Sequence, residues 1–177
     1  MKKTMKEMMS TNKVFLIGEQ SLKDFNINDN LDANYLNPAI HTAQEIYLQQ
    51  IIGTKLLEKL KDMVANNSLT DDYKLLLDDY ITPYLQFKVS AELVIPIAYK
   101  TRNAGVVVTN NEYMTNTQMK DATYLKNHYE DRADFYSIRL SKYLNANRGK
   151  YPEYSQSSVC KGDVTASSTF ESNIYLD

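Results

Sequence analysis

The chain has 177 residues, 20 Lys and Arg against 22 Asp and Glu, 43% hydrophobic and 24% charged residues, and a net charge of −2. That is length enough for one domain with its own core and the balance of an ordinary globular protein. The slight acidity argues against a surface built to hold nucleic acid, and a lone cysteine, Cys160, excludes an intrachain disulfide.

The apolar runs Val14–Ile17 and Leu93–Tyr99 fall far short of the roughly 20 residues of a membrane-spanning helix. The chain therefore reads as soluble and non-exported, with no membrane partner. Fourteen tyrosines and no tryptophan suit half-buried positions and protein interfaces.

Residues 1–13 are polar and methionine-rich, and Val14–Ile17 reads as a short strand or an extended anchor. Asn26–Asn30 is turn chemistry, and Leu31–Leu36 allows one helical turn. Asn37-Pro38 then reads as a cap and a first helical position. Leu36, Ala39, Ile40, Ala43, Ile46, Tyr47 and Ile51 recur at steps of three and four, which predicts a helix over about 38–50. Gln50 is expected beside that stripe, satisfying backbone groups at the break. Gly53 interrupts the pattern, and Leu56, Leu57, Leu60, Met63 and Val64 resume it over about 54–66.

Thr70, followed by Asp71 and Asp72, is a helix start with a stripe of Tyr73, Leu76, Leu77, Tyr80 and Ile81. Thr82-Pro83 predicts a kink or a fresh start. From Tyr84 to Tyr99 the chain is apolar almost all round, as in the centre of a bundle, with a kink expected at Pro96. Asn103-Ala104-Gly105 reads as a helix stop. Val106–Val108, a turn at Thr109–Asn111 and a return at Glu112–Met114 predict a hairpin or extended loop over 105–115. Met119, Ala122, Leu125, Tyr129, Ala133, Tyr136, Leu140 and Leu144 mark the longest helix, about 117–145. After Tyr151-Pro152-Glu153-Tyr154 the tail is Ser/Thr-rich, with apolar residues returning at Phe170 and Ile174–Leu176.

The expectation is a mainly α protein, a small bundle of about five helices with a short hairpin and extended arms. It divides into an arm over 1–33, a bundle over 34–150 and a tail over 151–177.

No catalytic grammar stands out. The five glycines are dispersed, and HExxH, CxxC and nucleophile-elbow patterns are absent from the sequence. His41 and His128 have no second ligand at helical spacing, so both read as edge histidines rather than metal ligands. Asp71-Asp72 and Asp78-Asp79 read as helix-start and solvated acids, and Cys160 as a spectator thiol. Lys100 and Arg102 are too few to mark a phosphate-binding face. The chain is expected to work by contact, without cofactor or metal, and not as an enzyme.

The stretch NPAIHTAQEIYLQQIIGTKL at Asn37 to Leu56 resembles the first two helices of phage head–tail connector (head-completion, adaptor) proteins. It is most similar to the ring proteins of crAss-like and related Bacteroidetes phages. Asn103–Val108, the long helix ending Tyr143-Leu144-Asn145-Ala146-Asn147, and Tyr151–Tyr154 agree in order, so the resemblance covers about 37–154, plus a terminal hook. Relatives often carry proline where this chain has Gln50.

The resemblance implies a helical subunit of a twelve-fold ring under the portal protein at the neck of the virion. Assembled in the bacterial host cytoplasm, it would contact other ring or tail proteins and pass double-stranded DNA without binding it specifically. Expected interface residues are Val106, Val107, Val108, Tyr113, Tyr151, Tyr154, Phe170, Ile174, Tyr175 and Leu176. Two other classes remain: a cytoplasmic helical adaptor binding one protein partner, and a small hydrolase gathering Asp78, Asp79 and His128.

Overall fold

The computed structural model describes residues 13–24, 33–102, 105–108 and 119–155. In chain order these form α1 (Glu19–Asp24), α2 (Ala33–Thr42), a π-helical turn (Ala43–Leu48), α3 (Gln49–Ile52) and α4 (Thr54–Ala65). Then come α5 (Asp71–Leu75), a second π-helical turn (Leu76–Ile81), α6 (Thr82–Ala98), β1 (Tyr99–Arg102), β2 (Gly105–Val108), α7 (Met119–Ala146) and α8 (Pro152–Ser155). The mainly helical bundle is as expected.

The segments at 33–52 and 71–98 are continuous rods, each widened once by a π turn. At the first, the Gln49 amide reaches Gln44 O, and at the second the Thr82 amide reaches Leu77 O; each spans one residue more than an α-helical bond. An extra residue rotates everything downstream by about 100° against a 3.6-residue pattern. The stripe predicted through Ile46 and Ile51 therefore gives way to Leu48 and Ile52. Ile46 is 51% exposed, whereas Leu48 and Ile52 are fully buried.

The same rotation corrects the reading of Gln50, which is exposed. The buried glutamine is Gln44. Pro38 also departs from expectation. It lies inside α2 rather than opening it, so the ladder bond to Asn34 is lost, at about 3 kcal/mol in a helix interior. Burial of Leu36, Ala39 and Ile40 on that helix offsets the cost. Pro83 is the second residue of α6, just past the second π turn, where the ladder switches from five-residue to four-residue bonds and a missing donor disrupts least.

Two punctuation marks hold. Gly53 joins α3 to α4 at φ 81°, ψ 158°, a conformation that L side chains rarely adopt. Thr70 precedes α5 in an extended conformation and its carbonyl accepts the Lys74 amide at 2.8 Å, although its side chain makes no capping hydrogen bond.

The apolar α6 is the central element, carrying buried Tyr84, Leu85, Val89, Ala91, Leu93 and Val94. Helix α7 runs antiparallel to it, as the stacked pairs Tyr80–Tyr143 (3.9 Å) and Phe87–Tyr136 (5.4 Å) show. Ala122, Ala133, Leu140 and Leu144 are the buried residues of α7; Leu125, expected among them, is 44% exposed.

One core spans the elements, and both flanks of the predicted bundle contribute to it. Leu16, Ile17 and Leu22 are buried from the amino-proximal side and Tyr151 from the other. The arm and tail boundaries at 33 and 151 thus cut through packed structure.

The ribbon also corrects the sequence reading. Val106–Val108 form a strand, but the antiparallel partner is upstream, with Tyr99 opposite Val108 and Arg102 opposite Gly105. Asn103-Ala104, read as a helix stop, lies outside the described residues, and α6 has already stopped at Ala98. Residues 109–118, including the predicted return at 112–114, lie outside the described residues.

Candidate protein-interaction site

The titratable side chains that meet one another are engaged in holding the fold. The segment before α1, which bends at Leu16 and Ile17 and forms no strand, lies against Gln44, whose Oε1 accepts the Leu16 amide at 2.9 Å while Nε2 donates to Val14 O at 3.0 Å. Nε2 also donates to Glu45 Oε1 at 2.9 Å, and Lys61 Nζ lies 2.6 Å from that same oxygen. Burial pushes the Glu45 carboxyl up, but the hydrogen bonds from Lys61 and Gln44 and the positive charge outweigh it and hold the pKa below the usual value. A second glutamine clamp, Gln86 on α6, donates to Ser21 O at 3.0 Å and ties down α1.

At the other end of the rods, Tyr151 is wholly buried. Its hydroxyl donates to Asp72 O at 2.8 Å, which leaves Tyr143 as donor in the 3.0 Å bond between the two tyrosine hydroxyls. Tyr73 meets the Tyr151 ring edge-on at 5.3 Å and donates to Glu153 Oε2 at 2.8 Å. Burial, then these neighbours, pushes both phenols well above their ordinary pKa. Tyr151 is therefore a core anchor and not the interface residue expected from sequence, while Tyr154 is half-buried against the same core.

Lys88 lies over the Tyr47 ring at 3.8 Å and 3.4 Å from Glu130, bridging the first π turn, α6 and α7. Asp78 and Asp79 are exposed on the second π turn, at the end of the helix pair where Tyr80 meets Tyr143. That is roughly 22 Å along α7 from His128. The trio of the hydrolase reading does not converge. His128 Nδ1 instead accepts from Arg132 at 2.9 Å. Among the described residues no group of three or more His, Cys, Asp or Glu could hold a metal. Nor, among them, is any buried side-chain polar atom without a partner.

The features left over are surfaces. The β1–β2 ribbon continues directly from α6 and, among the described residues, pairs with no third strand. Tyr124, Phe135 and Ile138 on α7 are 76%, 64% and 51% exposed. At 100° per residue these three share one side of α7, diametrically opposite Ala122, Ala133 and Leu140. The pattern could have been found from sequence, because the spacings 124, 128, 131, 135, 138 and 142 alternate between four and three. It was hidden by the stronger inward stripe.

Of the expected interface residues, Val106, Val107 and Val108 sit together on β2. Tyr113, Phe170, Ile174, Tyr175 and Leu176 lie outside the described residues. Among the described residues no helix is long and apolar enough to cross a membrane.

Residues 48–164 match a protein family described as a family of unknown function, DUF6712. The matched span, about two thirds of the chain, takes in Gly53, the central α6, the ribbon and all of α7. No curated protein and no solved structure matches the chain.

Proposed function

The chain belongs to this family of unknown function, and we propose, from its resemblance and its surfaces, that it is a non-enzymatic structural subunit of a ring at the portal vertex of a phage virion. In this reading it joins portal to tail and extends the channel through which DNA passes. The observation that carries the proposal is the division of labour in the chain. Every buried polar side-chain atom among the described residues is satisfied within the subunit, whereas among the same residues the ribbon pairs with no third strand and the outer side of α7 exposes Tyr124, Phe135 and Ile138. The resemblance over about 37–154 supplies the identity of the assembly. A net charge of −2 suits a conduit that must release DNA rather than hold it.

The test is negative-stain imaging of the purified protein mixed with its portal protein. Closed rings coaxial with the portal are the expected result. A one-to-one complex without rings would instead favour the adaptor reading, for which a single apolar helix face such as that of α7 suffices.

A further inference from the structure

The outer stripe of α7 calls for an occupant, and the sequence beyond the described residues contains one segment that fits. Tyr124, Phe135 and Ile138 stand in solvent opposite the buried face, so no repacking of the bundle can cover them without exposing Ala133 and Leu140. Downstream of Ser155 the chain is polar until FESNIYLD at 170–177. We propose that the apolar hook Phe170–Leu176 of one copy docks on the Tyr124–Ile138 stripe of the next copy. This rests on the ring reading for its head-to-tail geometry.

Three quantities agree. The stripe extends about 21 Å along the helix axis at 1.5 Å per residue, and the hook in extended form covers about 20 Å. The link from Ser155 to Phe170 reaches up to about 50 Å, against a width of about 40 Å for a globule of this length. The charges are complementary as well. Exposed Lys120 and Lys142 lie near the two ends of the stripe, and Glu171 and Asp177 lie near the two ends of the hook. Asp131, at mid-stripe, falls opposite the uncharged Ser172-Asn173.

Donor and acceptor are different parts of the same chain. Contacts of that kind are heterologous, and they close into a ring when the rotation between copies allows.

The test uses full-length chains carrying Cys160→Ser and one new cysteine each. A chain with Ile174→Cys is mixed with a chain with Ile138→Cys under mild oxidation, and disulfide-linked dimers containing one of each are counted. The control partner carries Glu58→Cys, on the exposed side of α4. Docking raises local concentration, so the mixed pair should link at least about ten-fold faster than the control pair. Equal rates overturn the proposal. So does a doubly substituted chain, Ile138→Cys with Ile174→Cys, that links within itself on dilution while the mixed pair stays at the control rate. Cross-chain linking alongside portal images without rings would preserve this contact and overturn the ring reading alone. Rings accompanied by control-rate linking would do the reverse. Ile138 and Glu58 are exposed, so substitution at either leaves the core intact.

Discussion

Gln44 holds the amino-proximal segment through bonds that no apolar residue can replace. Gln44→Leu would fill the same space but strand the buried Leu16 amide and the Val14 carbonyl, at about 1–3 kcal/mol per unsatisfied group. Urea denaturation should show the midpoint falling, with protease sensitivity rising first around residues 13–24. Its neighbour Glu45 brings a pH dependence. A carboxyl whose folded pKa lies below its unfolded value contributes stability that is complete above the unfolded pKa and is lost as pH falls through the folded one. Stability measured at neutral pH and again below about pH 4 should therefore differ more for the natural chain than for Glu45→Gln, which should be the less stable of the two at neutral pH. Both residues are ordinary polar letters in the sequence. Only the partners they meet, 28 residues upstream for the Gln44–Leu16 bond and 16 residues downstream for Glu45–Lys61, give them weight.

At the scale of elements, the two π turns set the phase of the bundle. A π turn is locally unfavourable and persists where packing on both sides repays it, so periodicity read with a constant 3.6-residue step fails just beyond it. Ile46 outside and Leu48 inside are the consequence. The glycine break behaves differently, because its cause is local. At φ 81°, ψ 158°, Gly53→Ala should cost about 1–3 kcal/mol, read as a lowered Tm in calorimetry. The ribbon lies between these cases. Strand propensity at Val106–Val108 is plain from the residues, yet which segment pairs with it depends on where α6 ends, and that is settled by packing of the helix rather than by the valines.

For the whole molecule, the tyrosines divide by environment. Burial raises the phenol pKa of Tyr73, Tyr84 and Tyr151, so their contribution to stability persists below the unfolded value of about 10 and disappears as pH climbs through the raised folded values. An absorbance titration of the phenols should show these three ionising only together with loss of helical circular dichroism. The sequence by itself determined the mainly helical class, the break at Gly53, the start at Thr70, the all-round apolar α6 and the extent of α7 to within a few residues. Each of these follows from local propensity and composition, which act within a few residues of chain. Tertiary structure alone decided which glutamine is buried, that Tyr151 anchors the core, that Pro38 sits inside a helix, and which strand Val106–Val108 joins. Those outcomes depend on contacts between distant segments, whose packing energy outweighs the local preference of any one of them.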